Sequence, residues 1–242
     1  MHRFFVSPDA VAEGRVTVTG EDAVHALRVL RMRAGDQAMI YDGANHAYMG
    51  TVETAAKDSL TLSLGPMQTL QTEPATRITL CQGMPKAGKL ELILQKGTEL
   101  GITAFLPFYS ARSVPKPGKG EKAERYQRVV YEAAKQSGRG VLPTVERPVD
   151  FPEFLREMDG HELALVAWEE EHGQALSRVL RENPSRDIAL IIGPEGGFGP
   201  EEVAQMKEHG VLPVTLGPRI LRTETAGLVM AAAVLFQRGD MD

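Results

Sequence analysis

The chain has one cysteine, one tryptophan and no apolar run long enough to cross a bilayer. A single thiol, Cys81, excludes an intrachain disulfide and suits a reducing compartment. The longest apolar stretches, such as residues 231–236, fall far short of the ~20 residues a membrane helix needs, so no spanning segment is expected. No apolar segment of signal-peptide length follows the start Met1-His2-Arg3, which predicts a cytoplasmic protein. His161, His172 and His209 stand apart without metal-ligand spacing, and no metal site is expected. What is present is an ordinary globular balance over 242 residues, 43% hydrophobic and 24% charged, which excludes disordered and fibrous classes.

Net charge is −5, a poor match to nucleic acid if taken as a sum. Its distribution says otherwise. Residues 109–142 hold eight Lys/Arg against three Glu, whereas residues 143–210 hold six basic against fifteen acidic side chains. Such asymmetry allows a basic surface on an acidic protein.

Two grammars divide the chain. Residues 3–6, 15–19, 37–41, 47–53 and 59–64 alternate in period two, with Asp42-Gly43 and Gly65-Pro66 as turns. Residues 21–32 interrupt them with Val24, Leu27 and Leu30 at helical spacing, which predicts a small β-barrel carrying one helix. After residues 68–76, strands at 77–81, 103–107, 162–168, 187–192 and 212–216 alternate with helices at 89–100, 121–137, 151–158, 174–181, 200–209 and 223–238. That alternation predicts an α/β domain with a mainly parallel sheet. Residues 1–70 and 73–242 are the expected domains, and residues 115–120 read as a basic loop.

The most informative stretch is Ile191-Ile192-Gly193-Pro194-Glu195-Gly196-Gly197-Phe198-Gly199-Pro200, where a buried strand empties into four glycines and a helix start. Ligands in open α/β sheets bind beyond the carboxyl ends of strands, which makes this loop a pocket candidate. It carries neither the dinucleotide fingerprint nor the P-loop string. A tight strand-to-helix turn without a ligand accounts for the same glycines equally well. Residues 216–227 repeat the arrangement: Leu216, Ile220 and Leu221 offer an apolar slot, loop backbone groups can bond a flat heterocycle, and Arg222 and Glu224 charge the rim. Thr223 as a plain N-cap and Glu224 as a partner of the helix dipole are the competing readings.

Together the stretches 193–198 and 216–226 resemble motifs of the SPOUT superfamily of S-adenosylmethionine-dependent methyltransferases, specifically the ribosomal RNA small subunit methyltransferase E family. The likeness extends to residues 1–6, 25–36, 95–101 and 132–139. It implies a C-terminal trefoil-knotted α/β domain, a PUA-like N-terminal β-barrel and a homodimer with the cofactor at the subunit interface. It further implies N3 methylation of a uridine in 16S ribosomal RNA of the small subunit. Another RNA substrate, or a non-enzymatic assembly factor that binds RNA, is the alternative. The expected cofactor residues are Leu165, Val166, Ala167, Ile192, Gly193, Gly196, Gly197, Leu216, Gly217, Ile220, Leu221, Thr225 and Ala226.

Residues 25–33 contain three arginines and no acid. Helical spacing would put His25, Arg28 and Arg31 or Met32 on one exposed stripe, with Val24, Leu27 and Leu30 facing the barrel. Arginine suits phosphate because its planar fork donates two parallel hydrogen bonds. The expected RNA contacts are Arg3, His25, Arg28, Arg31 and Arg33, with Arg112, Lys116, Gln136 and Arg139. A solvated helix face paired with Glu21 and Asp22 is the bland alternative. For the chemistry, uracil N3 must lose a proton before it attacks, so Arg222 is assigned to the anion and Glu195 or Glu224 to the proton or to holding that arginine. The apolar helix 223–238 is the expected dimer contact.

Overall fold

A computed structural model describes residues 1–86, 88–114 and 123–241. The described residues fall into two compact units, 1–73 with 134–142, and 74–133 with the residues from 143 onward.

In the smaller unit, β1 (His2–Phe5), β2 (Arg15–Val18), β3 (Gln37–Tyr41), β4 (His46–Ala55) and β5 (Leu60–Thr69) form one sheet in the order β1-β3-β4-β5-β2. Only the β1–β3 pair is parallel. Alternation decides its buried face: Val16, Val18, Ala38, Ile40, Leu60 and Leu62 point inward with Phe4 and Val52.

Two expectations need correction. Gly65-Pro66 is not a turn, for β5 runs straight through it. The pairing steps from Tyr48 opposite Met67 to Gly50 opposite Leu64, so Met49 faces two residues of β5, and this bulge accepts a proline that cannot donate to the ladder. The helix expected over 21–32 is a short α1 (Gly20–Val24) continued by a π-helical turn, His25–Val29, closed by the Leu30 N–H on the His25 carbonyl at 3.0 Å. The wider turn rotates the inward face. Ala23, Ala26 and Met32 are buried, Leu27 and Leu30 half-buried, and Val24 and Val29 exposed, so Val24 and Met32 exchange the positions that helical spacing predicts.

The larger unit holds a six-stranded sheet, order β11-β9-β10-β6-β7-β8, parallel throughout. Its strands are β6 (Arg77–Gly83), β7 (Ala104–Phe108), β8 (Thr144–Val145), β9 (Leu163–Ala167), β10 (Asp187–Ile192) and β11 (Leu212–Val214). Sequence alternation did not reveal the two-residue β8. The helices are α2 (Lys89–Leu100), α3 (Ala123–Ser137), α4 (Phe151–Met158), α5 (Leu176–Glu182), α6 (Pro200–Glu208) and α7 (Thr223–Arg238). The division between the units falls inside α3. The expected start of α3 at residue 121 and the loop 115–120 lie outside the described residues.

Buried strands present a core on each face. Ile78, Leu80, Leu163, Leu165, Ile188, Leu190 and Ile192 pack with α2, α3, α5 and α7. Cys81, Leu106, Ala164, Val166, Ala189 and Ile191 pack with α4 and α6. The sheet is therefore sandwiched between helices, and the carboxyl ends of β11, β9, β10 and β6 open along one edge.

Candidate active site

The carboxyl ends of β6, β9, β10 and β11 build the site. β10 ends at Ile192 and delivers Gly193 and Pro194, both buried, to the loop before α6. Gly197 lies at φ 64°, and a Cβ on Gly193 would come within 3.2 Å of the Gly197 backbone, so the close packing of this loop on itself favours glycine at both positions. Buried hydrogen bonds fasten the loop from below: the Gln82 amide, at the end of β6, donates to Thr223 Oγ1 at 2.8 Å, and that hydroxyl donates to the Gly193 carbonyl at 2.6 Å. Arg112 Nη1 donates to the Gly196 carbonyl at 2.9 Å from above.

The loop after β11 is built differently. Gly217 sits at φ 102° with open space where a side chain would be, and residues 217–220 are exposed. The backbone N–H groups of Leu216, Arg219, Ile220 and Leu221 make no hydrogen bond among the described residues. Ile220 is 89% exposed, an unusual state for an isoleucine beside a cavity.

Two adjoining cavities lie between these loops. One of about 330 Å³ is lined by Ala167, Trp168, Glu169, His172 and residues 215–221 with Ala226. The other, about 400 Å³, is lined by Lys89, Ile192–Glu195, Gly197, Phe198 and Ile220–Thr223. They share Ala167, Glu169, Ile220, Leu221 and Ala226 and so form one cleft.

Most of the expected cofactor residues line it: Ala167, Ile192, Gly193, Gly197, Leu216, Gly217, Ile220, Leu221 and Ala226. Leu165 and Val166 do not; both are fully buried and belong to the cores on opposite faces of the sheet, because successive strand residues point opposite ways. Thr225 is exposed one turn into α7, and Gly196 faces Arg112 instead of the cavity. Spacing alone did not find Lys89, Trp168, Glu169 or His172. A signal for Lys89 was present, since β6 also empties into glycine and lysine, Gly83 to Lys89, before a helix starts.

Lys89 joins the charged residues. Its Nζ lies 3.0 Å from Glu195 Oε1 and 3.0 Å from Glu224 Oε2, and the Lys86 N–H donates to Glu195 at 3.1 Å. Contact with Glu224 and Glu195 raises the Lys89 ammonium above its ordinary value. Burial alone would raise the Glu195 carboxyl, but its own backbone N–H, Lys89 and the Lys86 N–H outweigh that and leave it below the usual range. The Glu224 carboxyl is lowered by its own backbone N–H and by Lys89. A general base at neutral pH calls for a raised value, so both glutamates behave as ionised partners of a cation. Arg222 is 83% exposed at the rim, with Nη1 4.0 Å from Glu224 Oε1.

The residues expected to meet RNA divide as sharply. His25, Arg28, Arg31 and Arg33 are exposed, and Arg28, Arg31 and Arg33 make no ion pair among the described residues. Asp22 is engaged by Lys135 at 2.8 Å. Arg3 instead donates to the carbonyls of Lys135 and Gln136 at 2.9 and 3.0 Å, closing the end of α3. Arg139 is a correction: it is 3% exposed, with its guanidinium on Glu73 at 2.5 Å, which removes it from the surface. Gln136 is exposed, and Lys116 lies outside the described residues.

An α/β sheet with a glycine-walled cleft at its carboxyl edge, in a chain whose other unit displays a basic helix, is the frame of an RNA-modifying transferase. A family model described as the RNA methyltransferase domain matches residues 72–235, and one described as the RNA methyltransferase PUA domain matches residues 18–65. Ribosomal RNA small subunit methyltransferase E of Bacillus subtilis (strain 168) is 35% identical over 99% of this chain and 100% of its own length. Its namesake in Synechocystis is 36% identical over 96% of this chain and 77% of its own. The crystal structure of ribosomal RNA small subunit methyltransferase E from Neisseria gonorrhoeae bound to S-adenosyl methionine superposes with TM-score 0.87 at 31% identity, covering 98% of this chain and 97% of that one. The chain belongs to the ribosomal RNA small subunit methyltransferase E family and has the SPOUT α/β fold with a PUA-like N-terminal domain.

Proposed function

We propose that this protein uses S-adenosylmethionine to methylate N3 of a uridine in 16S ribosomal RNA of the small ribosomal subunit. The observation that carries this reading is the cleft itself: apolar Leu216, Leu221 and Ala226 beside four unbonded backbone N–H groups suit a flat, hydrogen-bonding adenine. Gly193, Gly197 and Gly217 leave the room that side chains would fill, and Ala167 and Ile192 complete the walls. S-adenosylmethionine supplies a methyl group on a sulfonium, which needs no metal to leave. The protein's part is to hold the reacting atoms in line and to stabilise the charge that develops on the base.

RNA docks through His25, Arg28, Arg31 and Arg33 of an N-terminal RNA-binding domain, residues 1–70, while residues 73–242 form the methyltransferase domain. Arg112 and Gln136 are further contacts. The protein is a cytoplasmic homodimer that meets its copy through α7, whose Val229 and Phe236 are 43% and 73% exposed two turns apart on one side. No described helix is long and apolar enough to cross a membrane.

Mass spectrometry of ribosomal RNA nucleosides from a deletion strain tests the reading. Loss of one N3-methyluridine from 16S RNA, restored by the wild-type chain, is expected. A lost methyl group in transfer RNA or 23S RNA would move the substrate elsewhere, and no lost methyl group would leave an assembly factor.

A further inference from the structure

The cleft has two lobes of different character. The lobe lined by residues 215–221 is apolar with free backbone donors, whereas the lobe lined by Ile192–Phe198 has Lys89, Glu195 and Arg222 at its margin. We propose that the charged margin is the subsite for the target base and that Lys89 is a catalytic residue there, its ammonium set against a carbonyl oxygen flanking the reacting nitrogen. The inference rests on the proposed uridine substrate and assigns the site a residue that no motif spacing had marked.

An ammonium has three N–H donors. Glu195 and Glu224 stand 3.0 Å from it as ion-pair partners, and Lys89 still lines the open lobe with its side chain 29% exposed. The carboxylates come from different elements, Glu195 from the loop after β10 and Glu224 from the first turn of α7, so the cation is fixed in position before any ligand arrives. Gly88, at φ 85°, turns the chain so that α2 starts with Lys89 at this spot.

The chemistry calls for such a cation. When the N3–H bond breaks, its electron pair stays on the base and spreads onto the two flanking carbonyl oxygens while the proton passes to water. Neither glutamate is suited to take that proton, since Lys89 and backbone N–H groups stabilise both carboxylates and make them weak bases. Catalysis then comes from stabilising the anion, the role an oxyanion-binding donor plays in acyl transfer. The groups facing Lys89 across the lobe are Glu195, Glu224, Glu169 and Arg222. Arg222, mostly exposed, is free to swing to the second carbonyl.

Three variants of the full chain test this: Lys89→Met, Lys89→Gln and Lys89→Arg. Single-turnover methylation with cofactor and RNA saturating should fall by about 100-fold in Lys89→Met and Lys89→Gln. The dissociation constant for S-adenosylmethionine by calorimetry should stay within about threefold of wild type, and Lys89→Arg should recover to within about tenfold of the wild-type rate. The decisive readout is pH. In Lys89→Met the rate should climb toward wild type as pH rises and water-borne ionisation of N3 replaces the missing cation. A merely structural lysine gives a deficit that is constant with pH, and that result overturns the proposal. Loss of cofactor binding in Lys89→Met also overturns it, by assigning the lysine to the cofactor. Failure of the wild-type chain to methylate the RNA refutes the proposed function instead, so the two failures are distinct.

Discussion

The two loops that wall the cleft follow parallel strands two apart in the sheet order and are rich in glycine, yet one is fastened and the other is open. Residues 193–198 carry Phe198 in the core, hydrogen bonds from Thr223 and Arg112, and the Lys89 ion pair. Residues 216–221 are tied among the described residues only by the Thr215 hydroxyl, which accepts the Gly217 N–H at 3.2 Å and donates to the Gly217 carbonyl at 3.4 Å, and they hold an isoleucine in solvent. The difference separates two uses of glycine. In the first loop glycine removes a side chain so that backbone can pack; in the second it keeps donors available to a ligand. The first loop is a preformed floor, and the second gains its partners from what binds.

The largest effect expected from that contrast is on stability. Gly197→Val forces a branched residue to φ 64° in a fastened loop that cannot relax, although the exposed Glu169 carboxylate nearest its Cβ can move aside. It should cost about 2–3 kcal/mol in chemical denaturation and abolish cofactor binding. Gly217→Val also puts a branched residue at a positive φ, 102°, but it meets nothing within 4 Å and the exposed, unfastened loop can rearrange to relieve it. It should change stability by less than about 1 kcal/mol while weakening cofactor binding at least about tenfold, because only the loop's own conformation is disturbed. Equal stability losses in the two variants would erase the distinction.

A smaller effect probes the fastening. Thr223→Val removes the hydroxyl between Gln82 and the Gly193 carbonyl, all of it buried, and should cost about 1–2 kcal/mol. The valine keeps the shape of the side chain, so a neutral result would show that packing alone holds the floor.

The smallest effect comes from a tie remote from both loops. Asp240, past the end of α7, accepts the N–H groups of Ala75 and Thr76 at 3.0 and 3.2 Å. Burial would raise its carboxyl, but the Thr76 and Ala75 hydrogen bonds and Arg186 outweigh it and hold the group below its ordinary value. A depressed folded-state value means the contribution is complete above the unfolded aspartate's value and is lost as pH falls through the folded one. Asp240→Asn should therefore destabilise by about 1 kcal/mol at neutral pH, flatten the acid side of the stability curve, and leave cofactor affinity unchanged. Loss of affinity would mean that the far end of α7 also sets the cleft.

Much of this was legible in the sequence because the sheet's two faces impose a strict pattern. The strands at 77–81, 187–192 and 212–216 and the two motif loops follow from apolar runs ending in glycine, and Pro200 and Gly101 mark helix ends as capping chemistry dictates. Three features were not legible. The bulge that carries β5 through Gly65-Pro66 depends on pairing with β4, and the π-turn at His25–Val29 on packing against the sheet; neither is local. Lys89 meets Glu195 across more than a hundred residues of chain, so no spacing rule joins them. Arg139 illustrates the converse: a basic segment looks available until Glu73 folds onto it.

Hydrogen–deuterium exchange of the full chain, with and without saturating S-adenosylmethionine, tests the contrast between the loops most directly. The Gly197 amide, bonded to the Pro194 carbonyl at 2.9 Å, and the buried amides of Gly193 and Phe198 should already be protected in the free protein and gain little on binding, whereas the amides of Leu216, Arg219, Ile220 and Leu221 should exchange freely when empty and slow by about tenfold or more when the cofactor is bound. Strong new protection over 193–198 with none over 216–221 would contradict the account, since the floor would then be made by the ligand and the open loop would have no part in holding it.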